Sequence, residues 1–220
     1  MNIVKKEGAE LVKAEDFDFA ENMEGVEPAL PEIKILSTAG LFETPEGENP
    51  KEILGVIVAS QRKNAWWEQD METAGAGTPP DCFSRNGITP HAENPVHTDC
   101  PTCPKNQFGS DGRGKACKNT RMLSVLIGDD MLPHVLKLPA TSLKPWDKYM
   151  VELMNKKRHF ATVQTSITLV KKQNKDNITY SEAAFKSIGM VPDSELPKIA
   201  ELRSFCTEKL NKVEIVADPF

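Results

Sequence analysis

Four of the five cysteines fall within one stretch of forty residues, at Cys82, Cys100, Cys103 and Cys117. Cys100 and Cys103 form a Cys-Pro-Thr-Cys knuckle, with 17 residues between it and Cys82 and 13 between it and Cys117. A knuckle offers two sulfurs from one tight turn, and two thiolates from elsewhere complete a tetrahedron around zinc. The stretch 82–121 is rich in Gly, Pro, Asn and Asp and nearly free of aliphatic residues. It therefore has no core of its own, and a metal ion is what would hold its shape. Cys82, Cys100, Cys103 and Cys117 are the expected zinc ligands, with His91 and His97 as substitutes for Cys82. An iron–sulfur cluster takes four thiolates as well and stays open as the alternative. A redox Cys-x-x-Cys opens a helix after a strand, and Pro101, Pro104 and Gly109 argue against that. Cys206 lies on the apolar side of a helical pattern and reads as core.

Positive charge gathers in the same region. Gly112 to Arg121 carries Arg113, Lys115, Lys118 and Arg121 with no acidic residue. Upstream, Arg62 and Lys63 leave a strand just before Trp66 and Trp67. Adjacent strand residues face opposite sides, so at most one of these indoles enters a core. With Phe108 and Lys144, these residues form a candidate nucleic-acid set, in which the cations follow phosphates and an aromatic ring stacks on a base.

Whole-chain charge qualifies this. The 220 residues carry a net charge of −5, which argues against nonspecific polyanion binding. Residues 1–52 hold 13 acids and 5 bases, whereas the remainder holds 19 and 22. A slightly basic body thus follows an acidic leader, and local charge decides what a groove attracts. No apolar run approaches the ~20 residues of a membrane span. The N-terminus lacks a basic-then-apolar export pattern. Together with the odd cysteine count, this points to the cytoplasm and to metal in place of disulfides.

Enzyme signatures are missing: no P-loop, no Gly-x-Ser-x-Gly, no His-Glu-x-x-His. Asp129-Asp130 reads as turn chemistry, with magnesium binding by a nuclease as the rival. His91-Ala92-Glu93 imitates a deaminase signature but stands too few residues before Cys100 for the strand that site requires. No enzymatic activity is expected.

The elements that would position these groups follow from periodicity. Short apolar runs at 33–36, 53–59, 122–127 and 135–139 read as strands, the last two joined in a hairpin by Gly128-Asp129-Asp130. Trp146, Tyr149, Met150, Leu153 and Met154 form the stripe of a helix over 143–157, with Thr141-Ser142 at its start. A strand over 160–172 and a partner over 178–188 follow, then a helix over 192–212 and a short strand over 213–216. The reading is α+β, mainly antiparallel: a barrel of the oligonucleotide-binding (OB) type with an inserted metal loop and a C-terminal helix. Residues 1–31 form an acidic arm, 32–216 a single domain with the loop 82–121 inserted, and 217–220 a C-terminal tip.

The string CPTCPKNQFGSDGRGKACKN from Cys100, then Arg121-Met122-Leu123, Leu138 to Lys144 and Trp146-Asp147-Lys148-Tyr149, resembles a family of phage and prophage proteins. These are described as single-stranded DNA-binding proteins near replication and recombination functions, and the likeness covers roughly residues 82–185. It implies an OB-type barrel with a zinc loop that coats single-stranded DNA in a bacterial host cell. Asp218-Pro219-Phe220 is similar to the tip by which bacterial single-strand binding proteins dock partner enzymes. That tip or the acidic arm would be where replication or recombination proteins attach. The rival reading is a protein-interaction module of a replication or host-takeover complex, with zinc purely structural.

Overall fold

The computed structural model describes residues 24–26, 29–69, 75, 77–93, 95–112, 114–175, 177–213 and 215. The acidic arm lies largely outside these residues, and the tip 217–220 wholly so.

The longest apolar run becomes the spine of the sheet. It forms Glu52–Trp66 (β3), which pairs antiparallel with Lys118–Ile127 (β5) on one side and Val163–Gln173 (β7) on the other. His134–Leu138 (β6) pairs antiparallel with β5, and Thr179–Met190 (β8) with β7. Glu32–Leu36 (β1) runs parallel to β6, Leu41–Glu43 (β2) pairs with β1, and Cys82–Ser84 (β4) pairs with the end of β3. The described residues also form two α-helices, Leu143–Asn155 (α1) and Leu196–Lys212 (α2), and four short 3-10 turns. The result is a mixed α+β fold with a curled, mostly antiparallel sheet in the order β2-β1-β6-β5-β3-β7-β8. Among the described residues, no helix is long and apolar enough to cross a membrane.

The two faces of the sheet bury different things. On the concave face, Ile53, Ile57, Leu123, Val125, Leu136 and Ile167 meet the α1 stripe of Trp146, Tyr149 and Leu153. On the convex face, Val58, Ala59, Met122 and Leu126 meet Ile199, Cys206 and Leu210 of α2. Cys206 is a core residue there, as its helical position implied.

Polar groups close the curl where strands do not pair. Ser181 of β8 donates its backbone N–H to the Ser37 hydroxyl at 3.1 Å, and its own hydroxyl donates to the Ser37 carbonyl at 2.5 Å. Two residues on, the Ala183 N–H donates to the buried Ser142 hydroxyl at 2.9 Å. Ser142 therefore serves β8 and makes no side-chain cap on α1.

Several boundaries depart from expectation. β3 continues seven residues past the anticipated end at 59, because β4 and β5 extend the ladder along it. The strand expected from 160 starts at Val163, after a 3-10 turn at Phe160–Thr162 where the His159 ring accepts the Ala161 N–H. β2 and β4, three residues each, lie outside the expected strands. Val213 has no regular structure, and 214 and 216 lie outside the described residues, so no strand is described over 213–216.

A register shift between Ile57 and Ala59 is the feature that most affects the site. The extra residue, Val58, is a bulge. Its carbonyl accepts from the Arg203 guanidinium of α2 at 3.1 Å. Before it, odd-numbered residues of β3 face α1. After it, Ser60, Arg62 and Asn64 share the concave side, while Gln61 and Lys63 turn toward α2.

Candidate functional site

The ribbon of β4, β3 and β5 projects beyond the α1 core and carries the cysteines. Cys82 stands opposite Trp66 on β4, and Cys117 immediately precedes β5. The knuckle is tied back to this ribbon by backbone: the Cys100 N–H donates to the Ile88 carbonyl and the Cys117 N–H to the Lys105 carbonyl, both at 2.8 Å. Asn106 is buried and donates its side-chain amide to the Cys100 carbonyl at 2.6 Å.

Cys82, Cys100, Cys103 and Cys117 all line one cavity of about 20 Å³, together with Asn64, Trp66 and His97. Burial pushes the Cys117 thiol up to about 12, and the neighbouring Cys100, Cys103 and Cys82 push it in the same direction. The Cys100 thiol is raised by burial, with Cys82 and Cys103 adding to it against hydrogen bonds from Ser84 and Asn64. All four are free thiols. Among the described residues, no three His, Cys, Asp or Glu side chains are drawn together as a metal-holding set. Charge repulsion acts over several ångströms, whereas zinc needs each sulfur at about 2.3 Å. The cysteines are neighbours around a cavity, not a closed cage. Of the spare histidines, His97 lines the cavity beside Asp99, whereas His91 is exposed and stacks on Phe83.

The candidate nucleic-acid residues separate into several places. Lys63 is the clearest correction. It is 1% exposed, and its ammonium donates to the carbonyls of Leu210 and Val213 at the end of α2, at 2.5 and 3.1 Å. A lysine committed to helix carbonyls has no reach to a phosphate, and the bulge at Val58 is what sends it there. Trp66 and Trp67 are half-buried, and neither belongs to the two hydrophobic cores. The Lys105 ammonium lies 4.9 Å from the Trp66 ring centre, and the Trp67 indole N–H donates to the Thr78 carbonyl. Phe108 is 78% exposed, with the Lys115 ammonium 5.1 Å from its ring centre. Lys118 pairs with Asp111 at 3.3 Å, and Lys144 is exposed in the first turn of α1. Arg113 lies outside the described residues.

Arg62 and Arg121 face each other across β3 and β5. The Arg121 guanidinium lies 5.5 Å from the Trp146 ring centre and donates to the Ser60 hydroxyl at 2.9 Å. Asp129 and Asp130 are exposed in the β5–β6 connection, as turn chemistry implied.

Sequence reasoning missed Lys105, whose ammonium meets the Trp66 ring, and Gly87, whose backbone lies against the Arg62 stem. Each lies in the cysteine stretch without a motif, and the only signal was the spacing of Lys105 two residues after Cys103. No protein-family model, curated protein or solved structure matches this chain.

Proposed function

We propose that this chain binds single-stranded DNA without catalysing a reaction, with zinc on Cys82, Cys100, Cys103 and Cys117 stapling the loop that meets the strand. The observation that carries this reading is Phe108. An aromatic ring 78% exposed in the turn after the knuckle would serve as a stacking platform, with the Lys115 ammonium 5.1 Å from its centre and anchored by the Asn106 and Asn119 side chains at 3.3 and 3.4 Å.

The strand pairing supports an OB-type barrel. β3 pairs with both β5 and β7, β5–β6 and β7–β8 are antiparallel pairs, and α1 joins β6 to β7. In such barrels the loops after the first and fourth strands flank the oligonucleotide groove. Their counterparts here are the cysteine excursion between β3 and β5 and the connection between β7 and β8. Because α2 covers the convex face of β5, a strand would meet the end of β3 that carries the cysteine excursion.

What supports zinc is the donor type alone: four thiols line one small cavity, and Cys82 and Cys117 bracket the end of β3. Bound zinc would hold the thiolates deprotonated and fix Lys105, Lys115 and Phe108 relative to the ribbon. A role in phage-type replication or recombination is what the family resemblance adds.

Quenching of tryptophan fluorescence by oligo(dT) tests the proposal. Affinity should fall steeply with salt, as counterion release requires. No binding at low salt, or tight binding indifferent to salt, would defeat it. In that case the interaction-module reading takes its place.

A further inference from the structure

We propose that Arg62 and Arg121 form a phosphate clamp near the cysteine-bearing ends of β3 and β5. The clamp needs only a phosphate oxyanion, free or within a nucleic-acid backbone, so it does not rest on the single-strand reading.

Like charges directly opposite on neighbouring strands destabilise a sheet, yet these two arginines are register partners on β3 and β5. Neither makes an ion pair among the described residues. Arg62 is exposed and has no hydrogen-bond or ion-pair partner among the described residues. Asp147 offsets part of the repulsion, favouring the Arg121 charge more than Arg62 opposes it, and leaves Arg62 without a carboxylate of its own among the described residues. An anion between the two guanidinium groups would turn repulsion into attraction.

Both side chains are held as if for such a ligand. Arg121 is fixed by the Trp146 ring and the Ser60 hydroxyl, and its Nε is buried without a partner. The stem of Arg62 lies against Gly87, where an added Cβ would come within 2.7 Å of the Arg62 Cδ. Gly87 has φ +72°, a conformation that side chains rarely adopt. The glycine lets backbone of the cysteine stretch pack against the arginine stem. Guanidinium forks match phosphate oxygens and keep their charge at any ordinary pH.

The test compares thermal unfolding in inorganic phosphate and in chloride at matched ionic strength, with oligo(dT) as a third arm. Arg62→Met keeps the stem on Gly87 and removes the charge. Arg121→Lys keeps the charge and removes the fork. For wild type, phosphate should raise Tm beyond chloride, and each variant should weaken the apparent phosphate affinity about tenfold. Without phosphate, Arg62→Met should be at least as stable as wild type, since repulsion is relieved. Equal responses to phosphate and chloride would overturn the clamp, as would phosphate stabilisation that survives Arg62→Met. A stronger response to oligo(dT) than to inorganic phosphate assigns the site to strand phosphodiesters. The reverse assigns it to free phosphate ligands, and both support the clamp. A phosphate response without oligo(dT) binding would remove the single-strand reading and leave the clamp standing.

Discussion

The Lys63 ammonium lies 2.5 Å from the carbonyl oxygen of Leu210, joining the middle of the chain to its last helix across 147 positions. The last carbonyls of a helix lack intrahelical donors, and a cation there also meets the negative end of the helix dipole. Lys63 answers both needs for α2, with Gln61 bonding Asn211 and Arg203 bonding the bulge carbonyl nearby.

Replacing Lys63 with Met should therefore lower stability at pH 7 by about 1–3 kcal/mol, the cost of leaving buried carbonyls without a donor. Urea denaturation reads this directly. The pH dependence is sharper. Burial, and then the Arg85 charge, lowers the Lys63 pKa from 10.5 to about 8. Between those values the unfolded chain holds a proton that the folded chain has released, so stability rises with pH across the window. Wild type should gain on Lys63→Met between about pH 8 and 10.5. A constant difference over that range would show that Lys63 titrates like an exposed lysine.

Ser142→Ala should cost about 1–3 kcal/mol, because the Ala183 N–H loses its acceptor inside the core. Hydrogen exchange at the Ala183 amide should accelerate more than at its neighbours in β8. An unchanged rate would mean that the strand edge is satisfied without Ser142.

Changing Cys100 and Cys103 together to Ser should release bound zinc to a chromogenic chelator. Amide protection should then fall in the cysteine excursion while β3, β5 and β7 keep theirs. Loss of protection throughout the sheet would make the cavity part of the core and not an appended staple.

Phe108→Ala should weaken oligo(dT) binding by about 1–3 kcal/mol, the usual loss of one stacked base. Stability should stay within about 0.5 kcal/mol, since an exposed ring packs little. Unchanged affinity would move base stacking elsewhere on the protein.

Much of the scaffold was legible from local pattern. The stripe of Trp146, Tyr149 and Leu153 needs only a 3.6-residue period, and Cys206 followed from the same rule. The β5–β6 pair was readable from two β-branched runs with Gly128-Asp129-Asp130 between them. The four cysteines were readable as one group by type and spacing, and they do line one cavity. β2 and β4 were not legible, because three-residue strands exist only through the partner each lies against.

The division of the cations was settled by tertiary structure alone. Side chains alternate along a strand, so one inserted residue exchanges the two faces for everything beyond it. Val58 is that residue, and nothing in its type marks it. Its insertion sends Lys63 beneath α2 and leaves Arg62 opposite Arg121. From sequence, Arg62 and Lys63 are two equivalent cations. Packing makes one a helix anchor and leaves the other exposed beside Arg121, because only the folded chain specifies which face meets α2.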